Sequence, residues 1–452
     1  MKNRIVHLLK GHSADYIEAR FEKSFVTRLT YRGGRLEGVA RTASVGGNIR
    51  ALVNGGWGFV SFNCFDKLRE GAELAVQEAR LAGREKVQLD RQEPVVETVT
   101  EEARKKAADV PLLQKKQVLD EYNDIILRRA DVVSSRIDYH DIVHRTVFAN
   151  SDGTYIEQEK PSLALRLTAV ARKGGEVQQA GVSLGSRGDF SAVEGLHDEA
   201  ERVAKRAVAL LSAPVVKGGE YTVVLDPVLA GVFTHEAFGH LSEADFVYQN
   251  EKLAEIMTMG RRFGGKQLNI VDDATLPGLR GSYKYDDEGV PAARNYLIRE
   301  GVLVGRLHSR ETAARMNERP SGNARAINHR YPPIVRMSNT FIEQGEATLE
   351  EMFGGIKEGV YLKDWYGGMT SLEMFTFSAG EAYMIRQGKV EELLRPVVLS
   401  GNVFATLGNI EAIGNDLEMN QGGGCGKGGQ FPLPVSDGSP HIRIARCVVG
   451  GK

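Results

Sequence analysis

The sequence predicts an α+β protein. An N-terminal α+β domain is expected over residues 1–215. A C-terminal domain dominated by mixed β-sheet, carrying a helix with two histidines, is expected over 216–452. Three observations lead there. A chain of 452 residues exceeds the usual size of a single core. Windows with helical apolar spacing concentrate in the first half, and the second half is rich in glycine and short β-like runs. Pro214 and Gly218-Gly219 punctuate the chain between them.

The elements follow in order. The first 60 residues read as β-hairpins, broken at Arg32-Gly33-Gly34 and Asn54-Gly55-Gly56. Asp66 to Ala82 reads as a helix, because Leu68, Ala72, Ala75, Ala79 and Ala82 recur at steps of four and three. Asp90 to Ala108 is polar and acidic and reads as a surface connection. Pro111 to Arg129 reads as helix. Ser134–Ala149 and Tyr155–Ala171 read as paired strands around an Asn150-Ser151-Asp152-Gly153 turn, and Glu199–Leu211 as an amphipathic helix. Tyr221–Leu225 is an apolar strand. Asp226-Pro227 then offers an N-cap with proline at the first helical position. Ile334–Phe341 and Phe375–Met384 are further strand-like runs.

Composition narrows the function. The 58 basic and 59 acidic residues leave a net charge of -1, so nucleic acid and anionic membranes are not expected partners. Cys64, Cys425 and Cys447 make no disulfide framework, which predicts a reducing, cytoplasmic setting. Met1 to Lys10 has no apolar stretch resembling a signal peptide. No uncharged apolar run reaches the ~18 residues of a membrane span.

The helix after Asp226 carries His235-Glu236-Ala237-Phe238-Gly239-His240. Neutral imidazole is a common zinc ligand, and an adjacent Glu can act as general base. Two histidines four residues apart share a helix face, because four steps of about 100° leave a turn of only roughly 40°. Here they are five apart, which splays them by roughly 140°. Both can serve one ion only if the helix bulges, or unwinds at Gly239. A third ligand can come from nearby Glu243, or from Cys425 in the glycine-rich run Gly422–Gly429. That run is not a phosphate-binding P-loop, which would need Gly at 421 and a hydroxyl at 428; the chain has Gln421 and Gly428.

Other clusters carry two readings each. Asp286-Asp287-Glu288-Gly289 reads as a solvated acidic turn or as a second metal site. His329, Tyr331 and Arg336 can donate to an oxyanion or pack a surface loop. His140 and His144 lie on a strand and read as structural; Trp57 and Phe59 read as core, and Cys64 and Cys447 as inert thiols.

The hexapeptide, the Cys425-Gly426-Lys427-Gly428-Gly429-Gln430 tail and several middle segments resemble the TldD branch of the TldD/PmbA metallopeptidases. Those segments are Gly55–Phe59, Asp286–Gly289, Arg336–Thr340 and Phe377–Ala382. The resemblance implies that His235, His240 and Cys425 bind Zn²⁺ and that Glu236 is catalytic. The PmbA branch resembles the fold but lacks these metal residues. Gly428 departs from the family's bulkier residue and leaves Cys425 in place. The implied activity is zinc-dependent hydrolysis of unfolded or partly degraded peptides, by a homodimer or a heterodimer with a PmbA-like subunit. The alternative is a non-catalytic regulatory or partner subunit, a class that includes the family's historical label as a modulator of DNA gyrase.

Overall fold

The computed structural model describes residues 2–83, 87–100, 102–371 and 373–451. The α+β expectation is met. The first half builds one sheet from β1 (Tyr16–Arg32), β2 (Arg35–Val53), β3 (Gly56–Phe62), β4 (Val96–Val99), β5 (Val132–Asn150), β6 (Tyr155–Lys173) and β7 (Glu176–Ser186). Their order is β3-β2-β1-β5-β6-β4, with β7 also on β6. The predicted turns form as read. Asn54 and Gly55 have φ of 49° and 82°, the left-handed pair that suits a two-residue hairpin turn.

Period-two alternation gives this sheet two buried faces of opposite character. Odd-numbered Ile17, Ala19, Phe21, Leu29 and Tyr31 of β1 are buried in apolar clusters. Helices α1 (Lys2–Lys10) and α2 (Leu68–Ala82) close one of these clusters; α3 (Leu112–Leu127) and α4 (His197–Leu210) close the other. Even-numbered Glu18, Arg20, Glu22 and Ser24 are also buried, but polar. Several of their partners, and those of their strand neighbours, come from the second half. Arg50 pairs with Glu18 and Glu288, both at 2.7 Å, and Asp287 pairs with Arg20 at 3.6 Å and Lys160 at 2.8 Å.

Three elements differ from the sequence reading. Lys2–Lys10 is helical rather than part of a hairpin. It closes an apolar cluster through Ile5 and Leu9. The connection over residues 90–108 contributes β4, which runs parallel to Tyr155–Gln158. A strand was not read over Glu176–Ser186, where small and polar residues weaken the apolar alternation; β7 forms because β6 supplies eleven consecutive partners.

In the second half, β8 (Gly219–Leu225) lies between Glu358–Ser371, in parallel, and Ile442–Gly451, antiparallel. Pairing continues through Val397–Asn402 and Met374–Arg386 back to Glu358–Ser371, so this sheet closes on itself. A second, mixed sheet includes Ser436–Ser439, parallel to Asn339–Ile342 and antiparallel to Glu418–Asn420. Helix α5 (Pro227–Thr234) sits between the two sheets. Its Leu229 and Phe233 enter the apolar cluster with Phe375, Phe377 and Ile444, and Gly231 lies against the backbone of Asp437 and Gly438.

Candidate metal centre

The site begins at the cap of α5. Asp226 accepts a hydrogen bond from Leu229 N at 2.9 Å, and Pro227 occupies the first turn, so strand, cap and helix follow without a loop. Seven of the eight residues in α5 are buried, which anchors its C-terminal end. There the helix widens. His235–Gly239 form a π-turn, and His240 N donates to His235 O, five residues back. The extra residue per turn absorbs the five-residue spacing. The bulge, and not an unwinding at Gly239, is what the structure adopts: Gly239 keeps helical φ and ψ of -55° and -53°. Glycine is needed there for space, since a Cβ would collide with Met337.

The two imidazoles now face each other, with ring centroids 5.2 Å apart and planes at 86°. Cys425 arrives on a hairpin formed by Cys425–Lys427 and Gln430–Leu433. Its turn residues, Gly428 and Gly429, have φ of 57° and 75°, so the family departure at Gly428 falls on a left-handed turn position. Cys425 Sγ lies 3.6 Å from His240 Nε2. One donor atom from each of His235, His240 and Cys425 fits within 4.8 Å of the others. Among the described residues, this is the one His, Cys or carboxylate group so arranged.

The surroundings orient these donors. His240 Nδ1 lies 3.0 Å from Glu243 Oε2, which leaves Nε2 for the centre. Lys427 Nζ approaches Glu243 at 3.1 Å, Asp245 at 2.6 Å and Val335 O at 2.8 Å. Glu243 therefore stands behind His240, and Cys425 completes the trio. Burial opposes a carboxylate at Glu243, yet Lys427 and His240 outweigh it and lower the pKa to about 2. Burial also opposes a thiolate at Cys425; the His235 and His240 rings outweigh it and hold the thiol well below its usual value. The thiolate is the metal-binding form. His235 Nδ1 is buried with no hydrogen-bond partner among the described residues. Two imidazoles, a thiolate and an orphaned ring nitrogen fit a zinc ion.

Of the trio, His235 lines a cavity of about 420 Å³, and Gly422 to Gly424, just before Cys425, line it too. Half-buried Glu236 lines it beside His235. Asp437 also lines it, and burial pushes that carboxyl up to about 6; nothing in the sequence singled it out. The walls include β7 from Gly181 to Gly185 and the strand Glu418–Asn420. Among the described residues, each of these strands pairs on one side only.

The other flagged residues lie elsewhere. Asp286 accepts backbone N–H groups from Glu288, Val290 and Ala324, while Asp287 and Glu288 take the cations named above. This acidic turn is a buried joint between the two halves, neither a second metal group nor a solvated turn. His329, Tyr331 and Arg336 do not line the cavity. His329 Nε2 lies 3.2 Å from Asn63 Oδ1, and Arg336 is fully buried. His144 Nδ1 contacts Ser24 Oγ at 2.7 Å, while burial pushes His140 down to about 4. Trp57 and Phe59 are half-buried rather than core, and Trp57 Nε1 donates to Glu311 at 2.9 Å. Cys64 is exposed; burial pushes the Cys447 thiol up to about 12.

Comparison with known proteins gives the same grouping. Models of the PmbA/TldA metallopeptidase match as domain 1 over residues 17–82, central domain over 105–211 and C-terminal domain over 218–451. A protein named a metalloprotease in Synechocystis is 47% identical, over 97% of this chain and 95% of that one. A zinc metalloprotease TldD homolog of Saccharolobus solfataricus is 32% identical, over 97% of each chain. The solved structure of TldE from Thermococcus kodakarensis has the same fold, with a TM-score of 0.80 at 18% identity and full coverage of both chains. The chain belongs to the PmbA/TldD metallopeptidases, on the TldD branch.

Proposed function

We propose that the chain is a zinc-dependent peptidase acting on unfolded or partly degraded peptides. The observation that carries the reading is the π-turn, which brings two histidines five residues apart onto Cys425. His235, His240 and Cys425 would hold the ion. When bound, zinc supplies a Lewis acid for a carbonyl and lowers the pKa of a coordinated water to about 7. The rest of the chemistry belongs to the chain. Glu236 holds a proton at its carboxylate and returns it to the leaving amine. Glu243 keeps the His240 ring oriented through Nδ1, and Lys427 holds Glu243. An extended peptide adds as a strand to the unpaired edge of Glu418–Asn420 or of β7, which reads main chain more than side chains. A folded substrate has no free strand to offer.

The names of the relatives support the peptidase class, and one of them includes zinc. Unpaired Cys64, Cys425 and Cys447 support a cytoplasmic setting, and assembly as a homodimer or with a PmbA-like subunit belongs to the same proposal. The decisive measurement is metal content beside hydrolysis of a peptide mixture, with and without chelator. Cys425→Ser is expected to lose both, and Cys64→Ser and Cys447→Ser neither. Full metal in all three variants would refute the ligand set. Hydrolysis of a folded protein as fast as of its denatured form would refute strand addition.

A further inference from the structure

We infer that Arg280 is the positioning residue of the Cys425 loop: it grips the backbone of Gln421–Gly423 and ties that loop to β6. The inference rests on the zinc reading above only for its consequence at the metal. Arg280 is 6% exposed, and no carboxylate among the described residues pairs with it. Burial alone pushes its guanidinium down to about 10. An uncompensated buried cation is costly, so its donors are informative. Nε donates to Ser162 Oγ at 2.8 Å. Nη1 donates to Gln421 O at 3.1 Å and also to Gly423 O. The Arg280 backbone N donates to Gln421 Oε1 at 2.9 Å.

Every one of these contacts falls on the segment just before Cys425, or on Ser162 of β6. The segment has little freedom otherwise. A Cβ at Gly422 would collide with the Ser183 carbonyl of β7, and one at Gly185 with the Gln421 carbonyl. The loop is therefore pressed between β7 and Arg280. The same residues, Gln421 to Gly424, line the cavity. A planar guanidinium reaches the two carbonyls from Nη1 and the hydroxyl from Nε, two nitrogens in a fixed geometry; an ammonium offers all its donors from a single atom on a flexible stem. Arg280 thus sets the position of the Cys425 sulfur from behind, and it touches no metal ligand side chain itself.

Two readouts test this in the full chain. The first is labelling of Cys425 by a thiol reagent in metal-free protein, resolved by mass spectrometry. Cys425 is 2% exposed, so its rate reports loop position with no metal involved. Arg280→Lys is expected to label several-fold faster than wild type, and Ser162→Ala less so but in the same direction. The second is the sulfur-to-cobalt charge-transfer band of Co²⁺-loaded protein, with affinity taken by chelator competition. Arg280→Lys should weaken the band and lower metal affinity about 10–100-fold. Lys115→Met removes another buried cation, the partner of Asp141, on the face of β5 and β6 opposite to that of Ser162; it should lower thermal stability and leave the labelling rate unchanged. Equal labelling in wild type, Arg280→Lys and Ser162→Ala would overturn the assignment. So would faster labelling in Lys115→Met matching that in Arg280→Lys. If wild type binds no Co²⁺ while the labelling rates still differ, the zinc reading fails and the role of Arg280 stands.

Discussion

The acidic joint at Asp286–Glu288 and the group at His235, His240 and Cys425 are both buried clusters of ionisable residues. They differ in how their charge is met. In the joint, each carboxylate has its own donors: backbone N–H groups at Asp286, Arg20 and Lys160 at Asp287, and Arg50 at Glu288. In the trio the donors converge on one another, and His235 Nδ1 has no partner among the described residues. A cluster of acids in a sequence is thus weak evidence for a metal. What separates a joint from a candidate metal centre is whether the protein's own donors and cations satisfy the group.

The comparison can be broken at either end. The largest effect is expected at the trio's neighbour. Glu236→Gln removes the base and keeps the shape, so peptide hydrolysis should fall about 10²–10⁴-fold with zinc content unchanged. Wild-type turnover would remove Glu236 from the chemistry. Arg50→Met strands Glu18 and Glu288 in the joint and should cost about 3–5 kcal/mol in urea unfolding. It should leave metal affinity per folded molecule intact. A loss smaller than about 1 kcal/mol, the size of an exposed pair, would mean that the joint is not truly buried.

A smaller change sharpens the contrast between charge balance and ligation. Glu243→Gln keeps a hydrogen-bond acceptor near His240 Nδ1 but frees Lys427 from one carboxylate. Metal affinity should drop about 10–100-fold, read by chelator competition, while stability changes less than in Arg50→Met.

The most gradual effect concerns a carboxyl that neither cluster satisfies. Burial first, then the Asp364 charge, raises Asp226 from 3.8 to about 7. The folded state then holds its proton more tightly than the unfolded chain. Its contribution favours folding below the unfolded value and is lost as pH rises from about 4 to about 7, with a slope of at most about 1.4 kcal/mol per pH unit. Asp226→Asn preserves an N-cap acceptor and should flatten stability across that window. An unchanged slope would show that another group titrates there.

Much of the fold was legible. Steps of three and four placed α2 and α4, and the Asn54-Gly55 turn placed a hairpin. Elements whose stability comes from a neighbour were not. β7 is small and polar, and it exists because β6 pairs with it. β4 lies in an acidic stretch and is held by Tyr155–Gln158. At the site, the hexapeptide marked His235, Glu236 and His240, and its five-residue spacing foretold a departure from a straight helix; whether by a bulge or by unwinding at Gly239 was left to the structure. Asp437 and Arg280 were invisible, because a single Asp or Arg carries no pattern until its surroundings are known.

By itself the sequence determined the residue types, their spacing and the family. Spacing along a helix is local geometry, so an impossible straight helix could be recognised from six letters. It also left the choice between Glu243 and Cys425 open on chemistry alone. Only the tertiary structure decided that Lys427 claims Glu243, that Cys425 crosses from the far end of the chain, and that Asp286–Glu288 face Arg20, Arg50 and Lys160. Those outcomes depend on which distant groups meet in a low-dielectric interior, where an unpaired charge is costly and each pairing excludes another.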